Sequence, residues 1–214
     1  HIPTDIFMDH GGQRDVKYLE SYYLNDNRIR HTPMNNELTE IWLRTDEIEE
    51  LVGALEHCSE LASTLHSKAV NWKWLIIALH NALQGACACA LSGQDTAGIT
   101  MLTKQSGKEV WQWLSVSRKS SSTPMPEPRL AEMTELYKRV KNTAYLPEPH
   151  RLSTSLSMDK DVRKLNQLRN EFIHFTPKGF SLELSGMPRI VGHCCDAIEH
   201  LSIFDLQKYL PNIK

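Results

Sequence analysis

The segment Leu168–Phe175 (LRNEFIHF) carries the side chains of this chain that are best suited to chemistry. It contains Arg169, the polar Asn170 beside it and His174 four residues after Asn170. A histidine exchanges protons near neutral pH, and the donor fork of an arginine fits a phosphate and its developing charge. Because no carboxylate cluster or metal-ligand spacing lies nearby, these residues favour metal-free cleavage of a phosphodiester, with the 2′-hydroxyl of RNA as the nucleophile.

The segment is predicted to end a helix. Apolar residues recur along this helix at steps of three and four, which is the pattern of a buried helix face. They are Val162, Leu165, Leu168, Phe172 and Phe175. Ser157 or Asp159 would cap the start of this helix, and Pro177-Lys178-Gly179 would stop it.

Helical geometry separates the two reactive side chains. Arg169 falls on the flank of the apolar face and His174 nearly opposite that face, about 140° from Arg169. Asn170 precedes His174 by one turn, so their side chains can hydrogen-bond. His174 is therefore either an ordinary exposed histidine or a residue that points outward towards a second subunit.

Most of the chain predicts helices. Helical periodicity covers about 46–65 (with Thr45 as its N-cap), 69–91, 103–117, 130–142 and 187–208, with a short helix over 16–24 and an extended piece over 180–184. Five to seven helices with almost no strand predict an all-α fold, an antiparallel helical bundle. We expect residues 1–36 to form an N-terminal extension and residues 37–214 to form the bundle domain.

The helix over 69–91 is apolar around most of its circumference and is predicted to be the central, most buried helix. Its few polar residues lie on one side: Lys73, His80, Asn81 and Gln84. We expect His80 to be a hydrogen-bonded buried or edge histidine. It would line the reactive site if this polar stripe faces Arg169.

Charge is spread unevenly along the chain. The net charge is only −2, which points to neither nucleic acid nor a membrane surface as a partner. However, residues 1–100 hold 7 Lys and Arg against 14 Asp and Glu, whereas residues 101–178 hold 14 against 8. The basic part contains Arg169, so it would attract an anionic ligand, unless the charges only solvate helix faces.

The remaining candidates for metals and thiol chemistry are weak. His193 and His200 share a helix face beside Cys194 and Asp196, but no closing pair of ligands occurs elsewhere, so neither a metal nor another cofactor is predicted. The five cysteines have apolar neighbours and lack a C-x-x-C spacing, which favours reduced, buried thiols. With no signal-peptide pattern and no apolar run of membrane-spanning length, we expect a cytoplasmic protein without a membrane partner.

The Arg169-Asn170-x3-His174 pattern near the end of a bundle helix resembles the signature of the HEPN superfamily (higher eukaryotes and prokaryotes nucleotide-binding). The similarity extends over roughly residues 40–208, because a Trp-containing apolar helix precedes the motif and another helix follows it. The resemblance implies a four-helix core with extra helices. It also implies a homodimer in which two motif helices form one composite site.

Many HEPN proteins are metal-independent endoribonucleases of toxin, phage-defence and CRISPR systems. For this chain the resemblance implies RNA as substrate, Arg169 and His174 as the catalytic pair, Asn170 as a supporting polar residue and an antitoxin or regulatory protein as a further partner. Thr176 stands where some members carry a modifiable tyrosine, which puts that form of regulation in doubt. The alternative is a non-catalytic helical module that binds RNA or protein.

Overall fold

The computed structural model of the chain describes residues 45–92, 98–117, 124–174 and 181–209. Within them lie six α-helices: α1 (Glu47–Ser63), α2 (Asn71–Ser92), α3 (Lys104–Ser117), α4 (Met133–Val140), α5 (Leu156–Ile173) and α6 (Met187–Tyr209). The predicted all-α class is confirmed, since this part of the chain contains no strand. The expected extension over 1–36 and its short helix lie outside the described residues.

The helix α2 is the centre of the bundle, as its sequence predicted. It packs against α1, α4, α5 and α6, and its large aliphatic side chains, Leu75, Ile76, Leu79, Leu83 and Leu91, are fully buried. Although α2 is long and apolar enough to cross a membrane, 72% of the relevant window is buried inside the fold. This burial gives α2 the character of a core helix, and the cytoplasmic location stays a prediction.

The first helix begins one residue later than Thr45 would require. Asp46 is the N-cap of α1, and its Oδ1 accepts hydrogen bonds from the backbone N–H groups of Ile48 and Glu49 at 3.0 and 2.9 Å. Thr45 instead donates its hydroxyl to Glu50 at 2.9 Å. The prediction of Thr45 as the cap was wrong, because the carboxylate of Asp46 can satisfy two exposed amides at once.

The helix that carries the motif, α5, starts earlier than expected. Its N-cap is Ser155, whose Oγ accepts from the N–H of Met158 at 3.1 Å, so neither Ser157 nor Asp159 is the cap. Asp159 instead binds α4, accepting from the Tyr137 hydroxyl at 3.0 Å. Of the predicted apolar stripe, Val162, Leu165 and Leu168 are buried and Phe172 is half-buried, whereas Phe175 and the stop at 177–179 lie outside the described residues.

The helix predicted over 130–142 is shorter, because its first residues pair with another segment. Leu130 forms an isolated antiparallel bridge with Leu102, and the N–H of Ala131 donates to the carbonyl of Met101 at 2.9 Å. The buried Arg139 of α4 reinforces this junction by donating to the carbonyl of Leu102 at 2.7 Å. Backbone groups committed to a bridge cannot also close helical turns.

The core position of α2 gives a test of the fold. Leu83 is fully buried, whereas Leu156 at the start of α5 is 89% exposed. We expect Leu83→Ala to lower the free energy of unfolding by about 2–5 kcal/mol, because it removes buried methyl groups and leaves a cavity. The same change at Leu156 should cost less than about 0.5 kcal/mol. Urea denaturation followed by circular dichroism compares the two, and equal losses would contradict the placement of α2.

Candidate functional site

Arg169 lies on the flank of α5 that faces α2, and its guanidinium has two different environments. Its Nη1 donates to the side-chain oxygen of Asn170 at 3.1 Å in an exposed position. Its Nε is buried and has no hydrogen-bond partner among the described residues. The outer edge of this guanidinium is thus open to a ligand, while the inner edge is held inside the fold.

Arg169 has no carboxylate partner among the described residues, a property that it shares with Arg129 and Arg163. Arg139, Arg151 and Arg189 each lie against an acidic side chain. The neighbouring Glu171, which could have neutralised Arg169, instead accepts from the side chain of Gln167 at 2.7 Å. The positive charge of Arg169 is therefore available to an anion from outside.

Asn170 connects Arg169 with the face that carries His174. The side chains of Asn170 and His174 do not hydrogen-bond to each other in the described structure, although their spacing allows it. Instead the His174 backbone N–H donates to the Asn170 carbonyl at 2.9 Å and ends α5. The two residues still share a face, since four residues turn a helix by about 40° beyond one full turn.

His174 is exposed at the C-terminal end of α5. Ideal helical positions place it about 140° from Arg169, but the long Arg169 side chain reaches Asn170 on the outer face. The length of the Arg169 side chain therefore brings its guanidinium closer to the outer face of α5 than the position of its backbone suggests. Asn170 and His174 are exposed, and the half-buried Arg169 contacts the exposed side chain of Asn170.

A buried histidine stands behind Arg169. His80 of α2 is only 2% exposed, and its Nε2 lies 2.9 Å from the side-chain oxygen of Asn166 on α5. Because an amide oxygen only accepts, Nε2 must carry the proton. In the neutral ring Nδ1 is then an acceptor, and it has no partner among the described residues.

The surroundings keep His80 neutral. Burial lowers its pKa below the ordinary value of 6.5, and the nearby charge of Arg169 lowers it further, while the hydrogen bond to Asn166 opposes both effects. The polar stripe of α2 thus faces Arg169 at His80, which is the condition under which His80 was expected to line the site. Asn166 was not identified from the sequence, although it lies one turn before both Arg169 and Asn170 on the same flank.

The seam between α2 and α5 therefore holds two buried polar atoms of complementary kind. The unpartnered Nδ1 of His80 is an acceptor, and the unpartnered Nε–H of Arg169 is a donor. Each such atom costs about 1–3 kcal/mol of stability, and buried polar atoms without partners are rare in folded proteins. This cost distinguishes the seam from ordinary core packing.

The other histidines that suggested a metal site have protein partners. His193 donates from Nδ1 to Asp161 at 2.7 Å, and His200 contacts the backbone carbonyls of His150 and Arg151 at 3.2 and 3.1 Å. In the described part of the chain no group of three His, Cys, Asp or Glu side chains could hold a metal ion.

The cysteines do not take part in this site. All five are free thiols, and only Cys195 is not fully buried. Burial raises the pKa of Cys58 and of Cys195 to about 12. These thiols stay protonated near neutral pH, which removes them from the candidates for a nucleophile.

Comparison with known proteins adds no assignment. No family model matches the chain, and no curated protein or solved structure is significantly similar to it.

His80 predicts how stability depends on pH. Its folded pKa lies below the unfolded value of 6.5, so the unfolded chain takes up the proton first as the pH falls. The contribution of neutral His80 is therefore complete above about pH 6.5 and is lost as the pH falls towards its folded pKa. We expect the free energy of unfolding to decrease over this range, as measured by urea denaturation at several pH values.

Two variants separate His80 from the other histidines. His80→Gln should flatten the decrease below pH 6.5, because glutamine does not titrate. His66→Gln removes an exposed histidine of the α1–α2 connection and should keep the wild-type slope. Parallel pH curves for all three proteins would show that His80 does not cause the decrease.

Proposed function

We propose that this protein is a metal-independent endoribonuclease of the HEPN type, acting in a toxin or phage-defence role. One observation carries the proposal. The Arg169 guanidinium has no carboxylate partner among the described residues, and it donates to Asn170, which lies one turn before the exposed His174. A cation, an amide and an imidazole brought to one phosphate can together cleave a phosphodiester.

In the proposed reaction the RNA supplies its own nucleophile. The 2′-hydroxyl loses its proton to His174 and its oxygen bonds to the adjacent phosphorus. The bond from phosphorus to the 5′ oxygen of the next nucleotide breaks, and that oxygen takes up a proton. The products are a 2′,3′-cyclic phosphate and a 5′-hydroxyl, so neither water nor a metal ion is consumed in this step.

Arg169 stabilises the charge that develops on the phosphate in this mechanism. Its outer N–H groups donate to the non-bridging oxygens of the pentavalent phosphate, where preorganised donors contribute most to the rate. Asn170 orients the guanidinium through the 3.1 Å hydrogen bond and leaves its own N–H groups for the phosphate. The buried seam with His80 and Asn166 supports Arg169 from behind.

A homodimer would complete the site. Cleavage needs one group that accepts a proton and one that donates a proton, and each protomer offers one exposed histidine at this position. Two α5 ends facing each other would supply a His174 for each role and two arginines for one phosphate. Ile173, 44% exposed next to His174, offers an apolar side chain for a second copy to cover, and an antitoxin could inhibit by covering the same surface.

Cleavage of a fluorescently labelled, unstructured RNA in excess EDTA tests the proposal. We expect the wild type to cut the RNA and His174→Ala to be about 10²–10⁴ times slower, the usual contribution of general acid–base catalysis. Arg169→Lys should be about 10²–10³ times slower, because it keeps the charge but loses the fork. The new ends should carry cyclic phosphate, which resists a phosphatase specific for monoesters.

Matched substitutions distinguish catalysis from contamination. His66→Ala and Arg129→Lys change exposed residues outside α5 and should cut at the wild-type rate. A rate that is unchanged in His174→Ala would exclude the mechanism. The folded protein could instead bind RNA tightly without cleaving it, even at concentrations at which it is dimeric. That result would favour the non-catalytic RNA-binding module.

A further inference from the structure

A groove of about 610 Å³ runs along the opposite flank of α5 from Arg169, between α5 and the segment 181–190. Its floor is apolar, formed by the buried side chains of Leu168, Met187 and Ile190. Its volume falls in the range of small-ligand sites. A groove of this volume with aliphatic side chains at its base has room for one nucleobase.

The end of the groove nearest the start of α5 is positively charged. Lys160, Arg163 and Lys164 line it, and all three are exposed. Lys160 and Arg163 form no hydrogen bond or ion pair with any other residue that the structure describes. Cations that do not stabilise the fold are free to bind an anion, and they can be replaced without loss of a structural contact.

A fourth cation, Arg189, is oriented by a buried carboxylate. Its Nε and Nη2 donate to the two carboxylate oxygens of Asp161 at 2.9 and 3.0 Å, and His193 donates to the same carboxylate. The Asp161 side chain is 3% exposed, whereas that of Arg189 is 65% exposed. These hydrogen bonds, above all those from Arg189, hold the pKa of Asp161 below its usual range, so the carboxylate stays charged and keeps the guanidinium oriented.

The acidic residues of the groove cancel only part of this charge. The buried Asp161 pairs with Arg189, whereas Lys160, Arg163 and Lys164 have no carboxylate partner among the described residues. Glu171 lies at the far end of α5 and accepts from Gln167. Glu183 lies on the opposite wall, where it accepts from the backbone N–H of Ser185 at 2.7 Å. The groove is therefore polarised, with its cations around the start of α5.

We propose that this groove binds one nucleotide of single-stranded RNA, with the base on the apolar floor and its phosphate between Lys160, Arg163 and Arg189. The choice of RNA rests on the proposed ribonuclease function. The polarised charge and the preorganised Arg189 are what the phosphate recognises. Contacts with the phosphate carry no sequence information, so the groove holds the strand without reading it.

The outer face of α5 connects the groove with the motif. Arg163, Asn170 and His174 are separated by seven and four residues, so they lie within about 40° of one another around the helix. Arg163 and His174 are about 16 Å apart along the helix axis. A strand anchored in the groove can cross this face and bring its next phosphates to His174.

Binding of a 2′-O-methyl decauridylate tests the groove without cleavage, because the methyl group blocks the nucleophile. Fluorescence anisotropy at several salt concentrations gives the affinity and its salt dependence. We expect Lys160→Gln and Arg163→Gln each to weaken binding about three- to tenfold and to reduce the slope of log affinity against log salt by about 0.7, the value for one phosphate contact with a single strand.

Arg189→Gln should weaken binding as well, but it also breaks the contact with Asp161, so Lys160 and Arg163 decide the outcome. Lys108→Gln on α3 and Arg129→Gln are the matched controls, since both residues are exposed and lie outside the groove. We expect both to bind as the wild type does. Equal losses in all variants, or none in Lys160→Gln and Arg163→Gln, would overturn the proposal.

The experiments distinguish a failure of the groove proposal from a failure of the nuclease proposal. Loss of binding in the groove variants together with an inactive wild type would keep the groove and reject the nuclease. Active cleavage with unchanged binding in Lys160→Gln and Arg163→Gln would keep the nuclease and reject the groove. A change of oligomeric state in the groove variants, seen by analytical ultracentrifugation, would assign the groove to a second copy of the chain and likewise reject RNA.

Discussion

The constraint on which this structure depends is the burial of α2 on nearly every side. A helix that is apolar around most of its circumference must be enclosed, and α1, α4, α5 and α6 pack around it. The exception in its interior is His80, which cannot be buried without a hydrogen-bond partner. Asn166 supplies that partner at 2.9 Å, so the polar contact fixes which flank of α5 faces α2. Arg169, one turn further along α5, is placed by the same contact.

The consequence is a motif helix with three different faces. One face is buried against the core through Leu165 and Leu168, and one flank meets α2 through Asn166 and Arg169. The other flank borders the basic groove. The outward-facing side of α5, between the two flanks, exposes His174 to solvent. Chemistry on such a helix is limited by the reach of side chains, which is why the contact between Arg169 and Asn170 matters more than their backbone positions.

Periodicity was sufficient to predict the class of fold, the central helix and the buried stripe of α5, because these follow from where apolar side chains recur. It could not choose among capping residues. Asp46 caps α1 in place of Thr45, and Ser155 caps α5 in place of Ser157 or Asp159. For Asp159 the reason lies in a neighbouring helix, because its carboxylate accepts from the Tyr137 hydroxyl of α4. For the site, the motif was visible in the sequence, but Asn166 was not. Its role requires knowing that His80, 86 residues earlier, lies across from it.

We propose that the two His174 side chains of a dimer act on one phosphate. Mixing wild-type protein with increasing amounts of His174→Ala protein tests this arrangement, because a mixed dimer holds only one His174. If the dimer has one composite site, RNA cleavage in EDTA should fall with the square of the wild-type fraction. A fall that is only proportional to the wild-type fraction, with mixed dimers verified by native mass spectrometry, would show that each protomer cleaves on its own and would rule out the composite site.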